Sequence, residues 1–290
     1  MSLLTQLVNL FFSQRRGEID FFMQHPVRVQ QQQLERLLTQ AGGTVFGREH
    51  GFDKIRTSEA YAAAVPVADY DSFSEYIGRT RTGEQNVLWP TEIKWFAKSS
   101  GTTSAKSKFI PVSDEGLSGC HLRGPMDVVC FFAGLYPKSG VFGGRTLTLG
   151  GSHRLESTGG RAQEGDLSAI LIENTPKWAS WRRTPRPETA LIPDFEEKVQ
   201  AICREAVPQR VTSFAGVPSW NLVLMNRVLE YTGRQNILEV WPEMELFVHG
   251  GMNFNPYREQ YRRIFPSDAM KYMETYNASE GFFAIQDDPS

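Results

Sequence analysis

Apolar residues near the N-terminus recur at helical spacing. Leu3, Leu4, Leu7, Leu10 and Phe11 form one stripe, and Leu34, Leu37 and Leu38 form a second that Gly42 and Gly43 bring to an end. Both stripes read as packing helices. After a polar, aromatic-rich segment (AVPVADYDSFSEYIGR), Ile93 to Ala97 and Phe109 to Val112 read as two strands bracketing a loop dense in hydroxyls. A helix is expected through Val128 to Phe132 and a strand at Thr146 to Leu149.

From Val211 onward the pattern becomes regular. Val211 to Ala215 reads as a strand, Ser219 is placed to cap a helix carrying Leu222, Val223 and Val228, and Gly233 stands where that helix should stop. Glu245 to His249, Tyr257 to Ile264 and Lys271 to Tyr276 then read as strand, helix and strand. This alternation builds a parallel sheet, and in such sheets ligands lie beyond the carboxyl ends of the strands. The loops Ala215 to Pro218, His249 to Met252 and Tyr276 to Gly281 are therefore expected on one rim. No internal repeat or Pro-rich linker interrupts the chain, and GGSHRLESTGGRAQEG reads as a mobile loop.

Length and charge narrow the function without naming it. The 290 residues allow one large or two small domains, and 31 Lys and Arg against 33 Asp and Glu leave no basic excess for nucleic acid. The longest apolar run, Val128 to Tyr136, is too short for a bilayer, and Met1 to Phe12 has neither a basic start nor a small-residue cleavage site, so no membrane partner and a cytoplasmic location are expected. Cys120, Cys130 and Cys203 lack C-x-x-C spacing and read as reduced thiols; His25, His50, His121 and His153 carry no recognisable spacing.

The chemistry concentrates in WFAKSSGTTSAKSKFIPVS. A Gly, Ser and Thr cluster is by composition alone a flexible turn, but this one lies between strands rich in Trp, Phe and Ile and is followed by Lys106 and Lys108. Gly101 permits a tight turn that brings backbone N–H groups near an anion, the hydroxyls donate further hydrogen bonds, and lysine adds a point charge. Together these suit a polyphosphate. The Walker A spacing G-x-x-x-x-G-K-[ST] is not met, because the sixth position from Gly101 is Lys106, and the chain contains no G-x-S-x-G, H-E-x-x-H or G-x-G-x-x-G.

SSGTTSAKSK resembles the phosphate loop of the adenylate-forming (ANL) superfamily, and the following KFIPVS is closer to one branch, the auxin-responsive Gretchen Hagen acyl-acid amido synthetases. ETYNASEGFFAIQDD (Glu274 to Asp288) resembles that branch's second motif, with HGGM (His249 to Met252) before it and AGVPSWNLVLMNRVLE further upstream. The resemblance implies an α/β fold: the N-terminal portion of an ANL-type large domain, with mixed and parallel sheets flanked by helices. Residues 1–290 would form an incomplete ATP-binding domain, divided into a phosphate-loop hairpin and helical segment (91–210) and a strand-helix-strand half (211–290). The smaller C-terminal domain and the third motif have no counterpart.

Position by position, the resemblance implies that Ser99, Ser100, Gly101, Thr102, Thr103 and Lys108 hold the phosphates of ATP, with Gly250 and Gly251 also at the nucleotide. Tyr276 would stack on adenine, Ser279 would approach the α-phosphate, and Glu280 would help bind Mg2+. Lys108 and Glu280 are the implied catalytic pair. Ala105 departs from the glycine often found at its place in the loop. Phe214, Val217 and Trp220 are candidates for the acyl pocket, although an aromatic at a helix start equally serves packing. Tyr276 and Phe282 read equally as core, Glu280 as a solvated turn carboxylate, and His249 as structural or as a ligand contact. The implied activity is that of a ligase: ATP activates a carboxylic acid as its adenylate, and an amine or amino acid then attacks to form an amide. The rival reading is a non-catalytic nucleotide-binding fragment or scaffold module.

Overall fold

The computed structural model describes residues 3–99, 107–151, 155–157 and 161–288. In chain order its strands are β1 (Trp95–Ser99), β2 (Lys108–Val112), β3 (Arg145–Thr148), β4 (Glu156–Ser157), β5 (Gln163–Gly165), β6 (Arg183–Thr184), β7 (Val211–Gly216), β8 (Leu246–Gly250), β9 (Lys271–Ala278) and β10 (Gly281–Ile285). They form two sheets in two compact units, one built from Gln14–Gly119 and Leu155–Gly165, the other from Met1–Ser13, Cys120–Arg154 and Asp166–Ser290. Among the described residues no helix is long and apolar enough to cross a membrane.

In the first unit a four-stranded sheet runs in the order β2-β1-β5-β4. β1 and β2 form the expected antiparallel pair, from Trp95 opposite Val112 to Ser99 opposite Lys108. The polar, aromatic-rich segment before them is the helix Tyr70–Arg81, started by Asp69, whose carboxylate accepts the Ser72 N–H. Asp71, Ser72, Ser74 and Glu75 face solvent while Phe73 and Ile77 pack with Phe96 and Phe109. Two side chains of this helix grip β2: the Tyr70 hydroxyl accepts the Phe109 N–H at 2.8 Å, and the Arg81 guanidinium lies over the Phe109 ring at 3.8 Å while pairing with Glu164.

The second unit holds a six-stranded sheet in the order β10-β9-β8-β7-β3-β6, parallel throughout except for β10. Side chains alternate across it as a pleated strand requires. Leu246 and Val248 of β8 pack with Val128 and Phe132 of the helix Arg123–Leu135, whereas Phe247 points to the opposite layer, where the helices Phe195–Ala206, Pro218–Thr232 and Arg258–Ile264 lie. There Phe214 stacks on Phe247 with ring centroids 4.1 Å apart and on Phe265 at 5.3 Å. Each such buried side chain contributes about 1.5–3 kcal/mol.

The helix after β7 begins two residues earlier than a Ser219 cap would place it. Val217 is the N-cap and Pro218 takes the first turn, where its missing N–H has no partner to lose. Gly233 closes this helix at φ +66°, a left-handed conformation that glycine adopts without strain. Cys120, Cys130 and Cys203 are reduced thiols, the last two buried.

Candidate functional site

The carboxyl ends of β7, β8 and β9 meet on one rim, with Gly216 level with His249 and Gly250 level with Thr275. β9 runs on past the end of β8 for Tyr276, Asn277 and Ala278, and there it pairs with β10. In this hairpin Asn277 faces Phe282 and Tyr276 faces Ala284, so Phe283 is an extra, bulged residue. A bulge re-aims the side chain it carries. Here the Phe283 ring comes to lie 5.0 Å from Tyr276, tilted by 34°, with both residues 57% exposed. The result is an open aromatic surface at the rim, suited to a flat apolar ring. Ser279 and Glu280 form the connection between the two strands; Glu280 is exposed, and no hydrogen bond or ion pair among the described residues engages its carboxylate.

The two glycines of the β8 end answer to space and conformation. A Cβ on Gly250 would overlap the Thr275 carbonyl, and Gly251 has φ +81° with Val217 Cγ2 3.3 Å from where its Cβ would lie. His249, just before them, is buried and stacked on Phe254 at 4.4 Å. Burial, assisted by the charge of Arg258, pushes its pKa down to about 4. It is a neutral ring in an aromatic setting.

Behind the hairpin stands the start of the helix Arg123–Leu135, entered through a π-helical turn at Leu117–His121. The Cys120 thiol accepts the Phe282 N–H at 3.2 Å, and a Cβ on Gly124 would fall within the Phe282 ring. His121 is buried here too. Burial lowers its pKa, opposed by the Asn277 amide and by the charge of Glu280. On the far side of the rim, beyond β3, Lys198 is buried with its ammonium donating to the carbonyls of Gly151 at 2.7 Å and Gly150 at 3.4 Å. Burial lowers its pKa while Asp166 opposes the shift.

The structure therefore brings Gly250, Gly251, Tyr276, Ser279 and Glu280 to one rim of the second unit, with Val217 against Gly251. Trp220 lies on the first turn of its helix, exposed on one side and packed on Phe195 at 5.2 Å. Phe214 instead belongs to the aromatic stack of the core and presents no surface to the rim, because an inward-facing position on a central strand is covered by the helices above it. Ser99 and Lys108 close the described part of the β1–β2 hairpin in the first unit, and the Lys108 ammonium stands over the Tyr70 ring at 5.6 Å. Ser100, Gly101, Thr102 and Thr103 lie outside the described residues.

Phe283, His121 and Lys198 escaped the sequence reading. Phe283 had a signal, an aromatic doublet after the Ser-Glu-Gly turn. The other two had none, since their neighbours are remote in sequence.

A mostly parallel sheet between helix layers, prolonged at its carboxyl rim by a hairpin, is a fold that solved ligases also carry. An open conformation of 2-hydroxyisobutyryl-CoA ligase, solved with 2-HIB-AMP and CoA, superimposes with a TM-score of 0.51 at 11% identity, over 87% of this chain and 53% of that one. The chain belongs to the GH3 family: the profile of the GH3 family N-terminal domain matches residues 15–199 and 160–270. The structure of AtGH3.15 acyl acid amido synthetase in complex with 2,4-DB aligns with a TM-score of 0.74 at 17% identity, over 90% of this chain and 54% of that one. A probable indole-3-acetic acid-amido synthetase, GH3.12 of Oryza sativa subsp. japonica, is 25% identical over 222 residues, 71% of this chain and 35% of that protein. Jasmonoyl-L-amino acid synthetase JAR6 of Nicotiana attenuata is 27% identical over 118 residues, 40% of this chain and 20% of that protein. The chain thus spans about half the length of the solved relatives and about a third or less of the curated ones.

Proposed function

We propose that this chain is the nucleotide- and acid-binding part of an acyl-acid amido synthetase, a ligase that uses ATP to adenylate a carboxylic acid and then joins the acyl group to an amine or amino acid. The observation that carries the reading is the rim of the second unit. An exposed Tyr276–Phe283 surface and an unengaged Glu280 carboxylate stand together at the carboxyl ends of parallel strands in a GH3-family chain.

The residues fit the groups such a reaction needs. In the second unit the face of Tyr276 receives adenine and Ser279 donates to the α-phosphate; in the first unit the segment Ser99, Ser100, Gly101, Thr102 and Thr103, with Lys108 after it in sequence, carries the hydroxyls and the charge that a polyphosphate takes. Glu280 offers the hard oxygen that Mg2+ prefers alongside phosphate oxygens. Bound there, Mg2+ would supply neutralisation of phosphate charge. The acid lies near Val217 and Trp220, its carboxylate oxygen attacks the α-phosphorus and pyrophosphate leaves; the amine then attacks the acyl carbon and AMP leaves. No protein nucleophile takes part, so the chain's contribution is to position two anions and to offset their repulsion.

The test is acid-dependent exchange of pyrophosphate into ATP by the longest natural chain, across a panel of carboxylic acids. Tyr276→Ala and Lys108→Ala are each expected to lower exchange by about tenfold or more, the scale of losing one well-placed contact to the transition state. Absence of exchange with every acid overturns the synthetase reading; MgATP binding without exchange assigns the chain to non-catalytic nucleotide binding.

A further inference from the structure

His121 has no place in the reaction outlined above, yet its setting is not that of an inert core residue. It is 3% exposed and its Nδ1 has no hydrogen-bond partner among the described residues. Buried polar atoms in folded chains are nearly always paired, so each exception calls for a reason. A second exception lies on the neighbouring hairpin: Asn277 Oδ1, on the part of β9 that extends beyond β8, is also buried and without a partner among the described residues. The Asn277 amide is close enough to act on the His121 ring, as is the charge of Glu280 three residues further on. Cys120, the residue before His121, accepts the Phe282 N–H, and Phe282 is paired across the hairpin with Asn277, so a ring nitrogen able to donate and an amide oxygen able to accept lie at one small interface.

Packing alone does not require this pair. The rest of the interface between the helix start and the hairpin is apolar or already satisfied: Phe282 N–H reaches the Cys120 thiol, and Gly124 leaves room for the Phe282 ring. Apolar residues at 121 and 277 together would remove both unpaired atoms. What the polar pair adds is direction. Once bonded, the pair would tie the helix start to the strand that leads directly into Ser279 and Glu280, and a hydrogen bond fixes the rotation of a strand end where apolar contacts would let it slide. The π-helical winding of Leu117–His121 presents Cys120 and His121 in succession to the same hairpin, a local irregularity that helices commonly carry at functional sites.

We propose that His121 is a positioning residue for the Asn277–Glu280 turn, acting through a hydrogen bond from Nδ1–H to Asn277 Oδ1 that sets Glu280 for its ligand. The inference rests on the reading of this turn as a nucleotide and cation site. A neutral ring suits the role, since a charged imidazolium beside Glu280 would compete with the cation.

The experiment uses this chain labelled with 15N-histidine and titrated with MgATP. The His121 ring signals, assigned by their loss in His121→Gln, are expected to move on MgATP addition, and the movement is expected to vanish in Asn277→Leu. In parallel, His121→Phe is expected to raise the Kd for MgATP about tenfold, the scale of one directed hydrogen bond, with no loss of thermal stability. His121→Asn, whose amide occupies the place of Nδ1, is expected to restore binding to within about threefold of the parent. Equal Kd values for the Phe and Asn variants, or unmoved His121 signals in a parent chain that binds MgATP, overturn the inference and leave the nucleotide reading standing. No MgATP binding by the parent overturns both. If His121→Phe does not fold, the Asn277→Leu titration decides alone: a Kd equal to that of the parent overturns the inference.

Discussion

His249 shows how a single buried side chain ties stability to pH. Its ring is enclosed by Phe247 and Phe254, its Nδ1 has no partner, and the nearest charge acting on it is the cation of Arg258, so every local influence disfavours the imidazolium. Its pKa is pushed from 6.5 down to about 4. Between those values the unfolded chain binds a proton that the native chain refuses, so native stability rises with pH across the window. The contribution is complete above the unfolded value of 6.5 and is lost progressively as the pH falls toward 4. At full size it is worth about 3 kcal/mol. Urea unfolding at several pH values between these limits is expected to show His249→Gln losing less stability on acidification than the parent. Parallel pH dependences in the two proteins would show that His249 does not carry the effect.

At the scale of elements, the hairpin of β9 and β10 depends on the helix behind it. Gly124 has no room for a side chain, because a Cβ there would enter the Phe282 ring, and Phe282 is also the residue whose N–H reaches Cys120. Gly124→Ala is therefore expected to push the hairpin away and to destabilise the chain by about 1–3 kcal/mol, the usual cost of overpacking, even though alanine favours the helix itself. A thermal melt equal to or above that of the parent would refute the tight packing. Elements of this kind divide sharply in how far the sequence reveals them. β7, β8, β9 and the helices between them were legible because their apolar runs are bounded by Gly and Pro, and the loop positions Gly250, Gly251, Tyr276, Ser279 and Glu280 fell on the expected rim with them. The helix Tyr70–Arg81 was hidden by its composition: only Phe73 and Ile77 of its inward face are strongly apolar, while aspartate and serine suggest a loop. β4, β5 and β6 are two or three residues long, too short to show a period, and exist only because a longer neighbour pairs with them. His121 was illegible for a related reason, since what distinguishes it is Asn277 on another element.

At the scale of the whole molecule, both units are discontinuous in sequence, and this limits which pieces can stand alone. The strand-helix-strand half, residues 211–290, looks self-sufficient in one dimension. In the sheet, however, β7 pairs with β3, and β3 with β6, both contributed by earlier chain. The two layers of core are shared in the same way: Val128, Phe132 and Val141 cover Leu246 and Met273, while Leu147, Val199 and Ile202 complete the layer around Phe214. At about 1.5–3 kcal/mol for each large apolar side chain removed from its neighbours, the losses are comparable to the whole 5–15 kcal/mol by which a domain is normally stable. Excising 211–290 would also bare a β7 edge and an apolar sheet face, both of which favour association. The isolated segment is accordingly expected to give a poorly dispersed amide spectrum and a broad, non-cooperative urea transition, where the full chain unfolds cooperatively. A well-dispersed spectrum with a sharp transition from residues 211–290 alone would mean that the earlier strands are accessories to the sheet and not part of its folding unit.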